Sequence, residues 1–140
     1  MIALPGKPAA AIRAHARRAY PEECCGVLLG RDAGSGASVE ALVEIENARG
    51  EERERRFLVR PQDYLAAERA AAGRGLVLLG FYHSHPDHPA RPSAFDLGHA
   101  WPNLHYLIVA VAGGEPGEMT SWVLREDRTA FAPERLDIAF

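Results

Sequence analysis

"GLVLLGFYHSHPDHPARPSAFD", residues 75–96, passes from an apolar run into a segment rich in histidine and proline, and how it divides decides the architecture. From Gly75 to His85 the run is too long and too rich in β-favouring residues for a turn, so it reads as a buried central strand. Side chains alternate along a strand, which puts His83 and His85 on one face with Cα atoms about 6.5 Å apart. Two imidazoles so placed can converge on one ion. Pro86, Pro89 and Pro92 stiffen the loop that follows, and "AFDLGHAW" (94–101) is a short helical stretch stopped by Pro102. Ser93 is a natural N-cap for it, and Asp96 stands at the third helical position, where a carboxylate is favoured by the helix N-terminus. Three apart, Ser93 and Asp96 lie on one side of that turn and can both face the histidines. This constellation sits where the central strand runs out into a loop.

Outward from this centre the chain alternates helices and strands. Pro8 followed by "AAAIRAHARRAY" (9–20) spaces Ile12, Ala16 and Ala19 along one helical face and leaves Arg13, Arg17 and Arg18 largely off it, an amphipathic helix ending before Pro21. "CCGVLLG" (24–30) is an apolar run of strand length, "RDAGSGAS" (31–38) a turn, and "VEALVEIEN" (39–47) a second strand. "GEERERR" (50–56) reads as a solvated loop. "PQDYLAAERAAAG" (61–73) opens on proline, carries strong helix formers and closes on glycine, a second helix. "LHYLIVAV" (104–111) and "EMTSWVLRE" (118–126) supply two further strands, and "TAFAPERLDI" (129–138) a tail. The pattern predicts an α/β or α+β domain on one mixed central sheet, with two larger helices and a short helix at the histidine site.

Bulk properties narrow the function classes. At 140 residues the chain is expected to form a single domain, 1–140, with its own core. Its 16 basic residues are outnumbered by 19 acidic ones, for a net charge of −3, so no nucleic-acid partner is expected. Cys24 and Cys25 are adjacent, which strains any mutual disulfide, and a lone vicinal pair lacks the spaced second pair of structural zinc sites; two small, reduced core residues in a cytoplasmic protein are expected. No apolar stretch is long enough to span a bilayer, and no signal peptide is expected.

A catalytic zinc site needs a third protein ligand besides the two histidines, with the fourth position left to water. Two readings compete for it. His-x-His-x-Asp-His, taken from His83, His85, Asp87 and His88, resembles the metallo-β-lactamase-type hydrolases, but those need further ligands well downstream. After His88 only His99 and His105 remain, and these, like His88, are expected in loops or at the surface. A cupin reading fails for want of a suitably spaced Glu after His85. The other reading is His-x-His, seven residues, then Ser-x-x-Asp.

With that spacing "HSHPDHPARPSAFD" resembles the JAMM (MPN+) motif of zinc-dependent metalloproteases. "PEECCGVLLG" (21–30) is similar to the segment carrying that family's catalytic Glu three residues before a Gly, which with Gly26 points to Glu23 and leaves Glu22 as a solvent-facing acid. The helix before Pro21, "FLVRPQDYLAAE" and the order of strands also look like the compact bacterial members, whose MPN-like fold is similar to that of cytidine deaminases. The resemblance implies His83, His85 and Asp96 as ligands of one Zn²⁺, Glu23 as general base and Ser93 as hydrogen-bond donor to the oxyanion. It further implies hydrolysis after the C-terminal Gly-Gly of a ubiquitin-like, sulfur-carrier type protein, whose tail would bind by sheet-edge addition. Two alternatives are a non-catalytic scaffold domain of the same fold and a DNA-repair-associated relative.

Overall fold

A computed structural model describes residues 1–46 and 61–138. The elements run β1 (Ile2–Leu4), α1 (Gly6–Ala19), β2 (Cys25–Asp32), β3 (Ala37–Ile45), α2 (Pro61–Gly73), β4 (Val77–Pro86), α3 (Ala94–His99), β5 (His105–Ala112), β6 (Glu115–Leu124), β7 (Phe131–Glu134) and β8 (Leu136–Ile138). The eight strands form one mixed sheet in the order β7-β6-β5-β4-β2-β3-β1-β8. "GEERERR" lies outside the described residues.

The apolar run through Leu79 and Phe81 is a central strand because both its faces are covered. Ala9, Ile12 and Ala16 of α1 pack with Leu28, Tyr82 and Leu107 on one side of the sheet. Ala67 and Ala71 of α2 pack with Val27, Leu29 and Phe81 on the other. A strand covered twice shows an unbroken apolar run where a half-exposed one would alternate. Two glycines admit close approaches: a Cβ on Gly80 would lie 1.8 Å from the His105 carbonyl oxygen of the adjacent strand. One on Gly26 would lie 2.3 Å from the Tyr82 ring. Gly26 thus opens the space for Tyr82, whose hydroxyl meets Nδ1 of His15 at 2.8 Å and joins α1 to β4.

The neighbours of β4 place the site. It pairs antiparallel with β2 only as far as Cys25 opposite His83, and parallel with β5 as far as Pro86 opposite Val111. Beyond His83, β4 follows β5 away from β2. The histidines stand in that fork.

Three departures from the sequence reading bear on the architecture. Helix α1 begins at Gly6, before Pro8, because the first-turn N–H groups have no partner within a helix and a proline there loses no bond. The three-residue β1 is too short for periodicity to reveal. The tail forms two strands, separated by Arg135 alone, on opposite edges of the sheet: Glu134 stands opposite Ser121 and Leu136 opposite Ile2. The two edges therefore meet at the C-terminal segment. Among the described residues no helix is long and apolar enough to cross a membrane.

Candidate metal centre

His83 and His85 share the α2 face of β4, as strand alternation requires, and are 1% and 7% exposed. Their Nε2 atoms lie 3.1 Å apart. Oδ2 of Asp96 stands 3.3 Å from Nε2 of His83 and 3.2 Å from Nε2 of His85. A tetrahedral ion with bonds of about 2.0–2.1 Å separates its ligand atoms by about 3.3–3.4 Å. The triangle of two nitrogens and one carboxylate oxygen therefore has edges close to those of one face of a zinc tetrahedron, and the donor set fits the ion.

Each donor is held from behind. Ser93 and Asp96 form a reciprocal capping box on α3: the Asp96 N–H donates to Oγ of Ser93 at 3.1 Å, and the Ser93 N–H donates to Oδ2 of Asp96 at 2.8 Å. The cap that starts the helix also aims the carboxylate. Nδ1 of His85 lies 2.8 Å from the Pro89 carbonyl, so Nδ1 carries the proton and Nε2 faces the cluster with its lone pair. Burial pushes the His83 pKa below the ordinary histidine value, against the pull of Asp96, and so favours the neutral, metal-binding ring. Burial alone would raise the Asp96 pKa. The nearby His83 outweighs it, helped by the His83 and His85 ring nitrogens beside the carboxylate and by the Ser93 N–H that donates to it, and the carboxyl stays well below the usual range.

Glu23 comes from the other side of the fork. Cys25 stands opposite His83, so Glu23, two residues upstream, shares that face and is brought against His85. It is 2% exposed, and its Oε1 is 4.0 Å from Nε2 of His85. Glu22, by contrast, is exposed, and its N–H donates to the Ala19 carbonyl at 2.8 Å. Glu23, His83 and His85 by themselves form a second possible donor set, with ligand atoms within 4.8 Å of one another. The separations of Asp96 from the two imidazoles match ligand edges, and that of Glu23 from His85 does not. Ser93 is exposed beside this cluster, and since its oxygen accepts from the Asp96 N–H, its O–H can still donate.

The residues of the competing motif are arranged differently. The Asp87 carboxylate accepts from the Tyr20 hydroxyl at 2.8 Å and from the Gly113 N–H at 2.9 Å, which pins the loop to two other segments. His88 is exposed. The side chain of His99 lies outside the described residues. His105 departs from the expected surface position: it opens β5, and its Nδ1 is 2.6 Å from Oε1 of Glu134, which also accepts from Oγ of Ser121 at 2.7 Å. Cys24 and Cys25 are buried thiols, and burial raises the Cys24 pKa to about 11. The Pro89 carbonyl and the Ser84 hydroxyl escape a sequence reading. A backbone acceptor leaves no mark in a sequence, and a serine between two histidines has no partner until the strands are paired.

A mixed sheet with a His-x-His strand end, a capped Ser-x-x-Asp turn and a buried glutamate opposite them defines the JAMM/MPN class. Residues 7–125 match the model of the prokaryotic homologs of the JAB domain, and the chain belongs to that family. It is 35% identical over 107 residues to the desampylase of Haloferax volcanii, covering 73% of this chain and 75% of that one. It is also 35% identical over 101 residues to a probable TtuB-protein conjugate cleaving protease of Thermus thermophilus, covering 72% and 64%. The CysO-cysteine peptidase of Mycobacterium tuberculosis is 35% identical over 114 residues, covering 80% and 75%. Against tail tip assembly protein K of Escherichia phage N15 the identity is 37% over 86 residues, but the match spans only 31% of that protein. A solved Desulfitobacterium hafniense protein superposes with a TM-score of 0.86 at 35% identity, over 99% of this chain and 92% of that one. A structure described as a JAMM metalloprotease-like zinc site shares the fold, with a TM-score of 0.57 at 17% identity over 100% and 99%.

Proposed function

We propose that the chain is a zinc metallopeptidase or isopeptidase, acting as one domain over residues 1–140, that hydrolyses the amide bond after the C-terminal Gly-Gly of a ubiquitin-like, sulfur-carrier type protein. The observation that carries this reading is the donor triangle of His83, His85 and Asp96, with edges of 3.1–3.3 Å and Glu23 set back at 4.0 Å. His83, His85 and Asp96 hold the ion. Bound there, zinc supplies Lewis acidity, polarising a carbonyl and lowering the pKa of a water towards about 7. Glu23 accepts a proton from the attacking water and returns it to the leaving amine. Ser93 donates its O–H to the oxyanion of the tetrahedral intermediate. No covalent intermediate with the protein is required.

The relatives support the substrate class. Their names describe a desampylase, the cleavage of TtuB-protein conjugates and the cleavage of CysO-cysteine. A diglycine tail suits a narrow cleft because residues without Cβ let the backbone approach closely. A scaffold role without catalysis leaves the complete donor set and its capping box without a use. An excess of acidic over basic residues disfavours a DNA-repair role at the nucleic acid itself.

The test is a linear fusion of a ubiquitin-fold carrier, ending in Gly-Gly, to a reporter peptide. Mass spectrometry is expected to place the cut directly after the second glycine. Chelation should abolish cleavage and added zinc restore it. Cleavage elsewhere, or cleavage insensitive to chelation, rules the reading out.

A further inference from the structure

At the fork between β2 and β4 a side chain takes part in the ladder. In an antiparallel ladder a hydrogen-bonded pair exchanges two backbone bonds. At Cys24 and Ser84, just past the last regular pair, only one is of that kind: the Ser84 N–H donates to the Cys24 carbonyl at 3.1 Å. The Cys24 N–H donates instead to the Ser84 hydroxyl oxygen at 2.8 Å. A hydroxyl thus accepts where a ladder carbonyl would.

The peptide so held joins Glu23 to Cys24. Ser84 is 0% exposed and Cys24 is 2% exposed, so bulk water cannot take over the bond. By strand alternation Ser84 points to the α1 face, away from His83 and His85. We infer that Ser84 is a positioning residue for the reaction: its hydroxyl fixes the Glu23–Cys24 peptide so that the Glu23 carboxylate stays set back from His83, His85 and Asp96, near enough to take a proton and too far to become a ligand. This rests on the proposed role of Glu23 as base. Without the hydroxyl the buried Cys24 N–H must seek another acceptor, and the backbone that carries Glu23 moves with it.

Ser84→Ala, Ser84→Thr and the core control Val39→Ala are compared in the zinc-loaded protein with the carrier fusion as substrate. Misplacing a catalytic group by about 1 Å can cost about 10²-fold, so Ser84→Ala should lower kcat about 10- to 100-fold with KM within about twofold and zinc still at one per chain. Ser84→Thr keeps the hydroxyl and should recover most of that loss. Val39→Ala thins the core at a buried β3 position and should lower the melting temperature while keeping kcat. Hydrogen exchange in the metal-free protein gives a reading independent of activity: the Cys24 amide should be protected in the parent and in Ser84→Thr, and exposed in Ser84→Ala. An unchanged kcat in Ser84→Ala, a kcat loss matched by Val39→Ala, or unaltered Cys24 protection overturns the inference. If Ser84→Thr does not fold, the contrast between Ser84→Ala and Val39→Ala decides alone. A parent protein that leaves the fusion uncut refutes the substrate reading, a result separate from a parent that cuts alongside a fully active Ser84→Ala.

Discussion

Glu23→Gln separates proton transfer from metal binding. The amide is isosteric with the carboxylate, and the side chain is 2% exposed, so the substitution removes a charge and a basic oxygen while leaving the packing in place. The ligand triangle has edges of 3.1–3.3 Å, whereas Glu23 stands 4.0 Å from Nε2 of His85, outside ligand spacing. Zinc content should therefore stay at one per chain, measured by elemental analysis after gel filtration. General bases contribute about 10²–10⁴-fold, which corresponds to about 3–5 kcal/mol of transition-state stabilisation. In steady-state assays on the carrier fusion, kcat should fall by that factor while KM changes little, so the variant would serve as a substrate trap. Glu22→Gln is the internal control: its side chain is exposed, and nearly full activity is expected. Loss of zinc from Glu23→Gln would make Glu23 a ligand and refute the geometric argument. Full activity with zinc bound would end its assignment as base, and an inactive Glu22→Gln would shift the motif by one residue.

Removing one of three ligands should be unmistakable: His83→Ala and Asp96→Ala should lose zinc on gel filtration, while Asp87→Ala and His88→Ala should keep it, and the reverse pattern would restore the His-x-His-x-Asp-His site. Gly80→Ala forces a Cβ to within 1.8 Å of the His105 carbonyl oxygen, a clash of backbone with backbone. The cost should exceed the about 1–3 kcal/mol usual for overpacking, seen as a lower midpoint in urea; an unchanged midpoint would show that β4 and β5 can separate. Glu134 has a pKa that burial tends to raise but that hydrogen bonds from His105 and Ser121 hold below the ordinary value. A depressed carboxyl contributes stability above its unfolded pKa of about 4.5 and loses it as pH falls through the lower folded value. The stability gap between the parent and Glu134→Gln, about 1–3 kcal/mol near neutrality, should therefore narrow as pH is lowered from 6 to 3, and a gap that widens would reverse the sign of the coupling.

What the sequence determined by itself is what local periodicity and spacing encode. The run from Gly75 to His85 announces a buried central strand, and α2 declares both its ends with Pro61 and Gly73. His83 and His85 had to share a face because a strand alternates, and Ser93 and Asp96 had to share a turn because a capping box spans three residues. These are relations within one element, set by bond geometry over a few residues. Relations between elements are of another kind. The choice of Asp96 over Glu23 for ligand spacing depends on α3 folding back over the end of β4 and on β2 ending its pairing at His83. The roles of the Pro89 carbonyl, Ser84, Asp87 and the His105–Glu134 pair appear only once segments distant in the chain are packed together. Strands β1, β7 and β8 are three or four residues long, too short to show a period, and they exist because neighbouring edges satisfy their N–H and C=O groups. Hydrogen-bond partners across a sheet are chosen by the whole fold, and no window of the chain contains both halves of the pair.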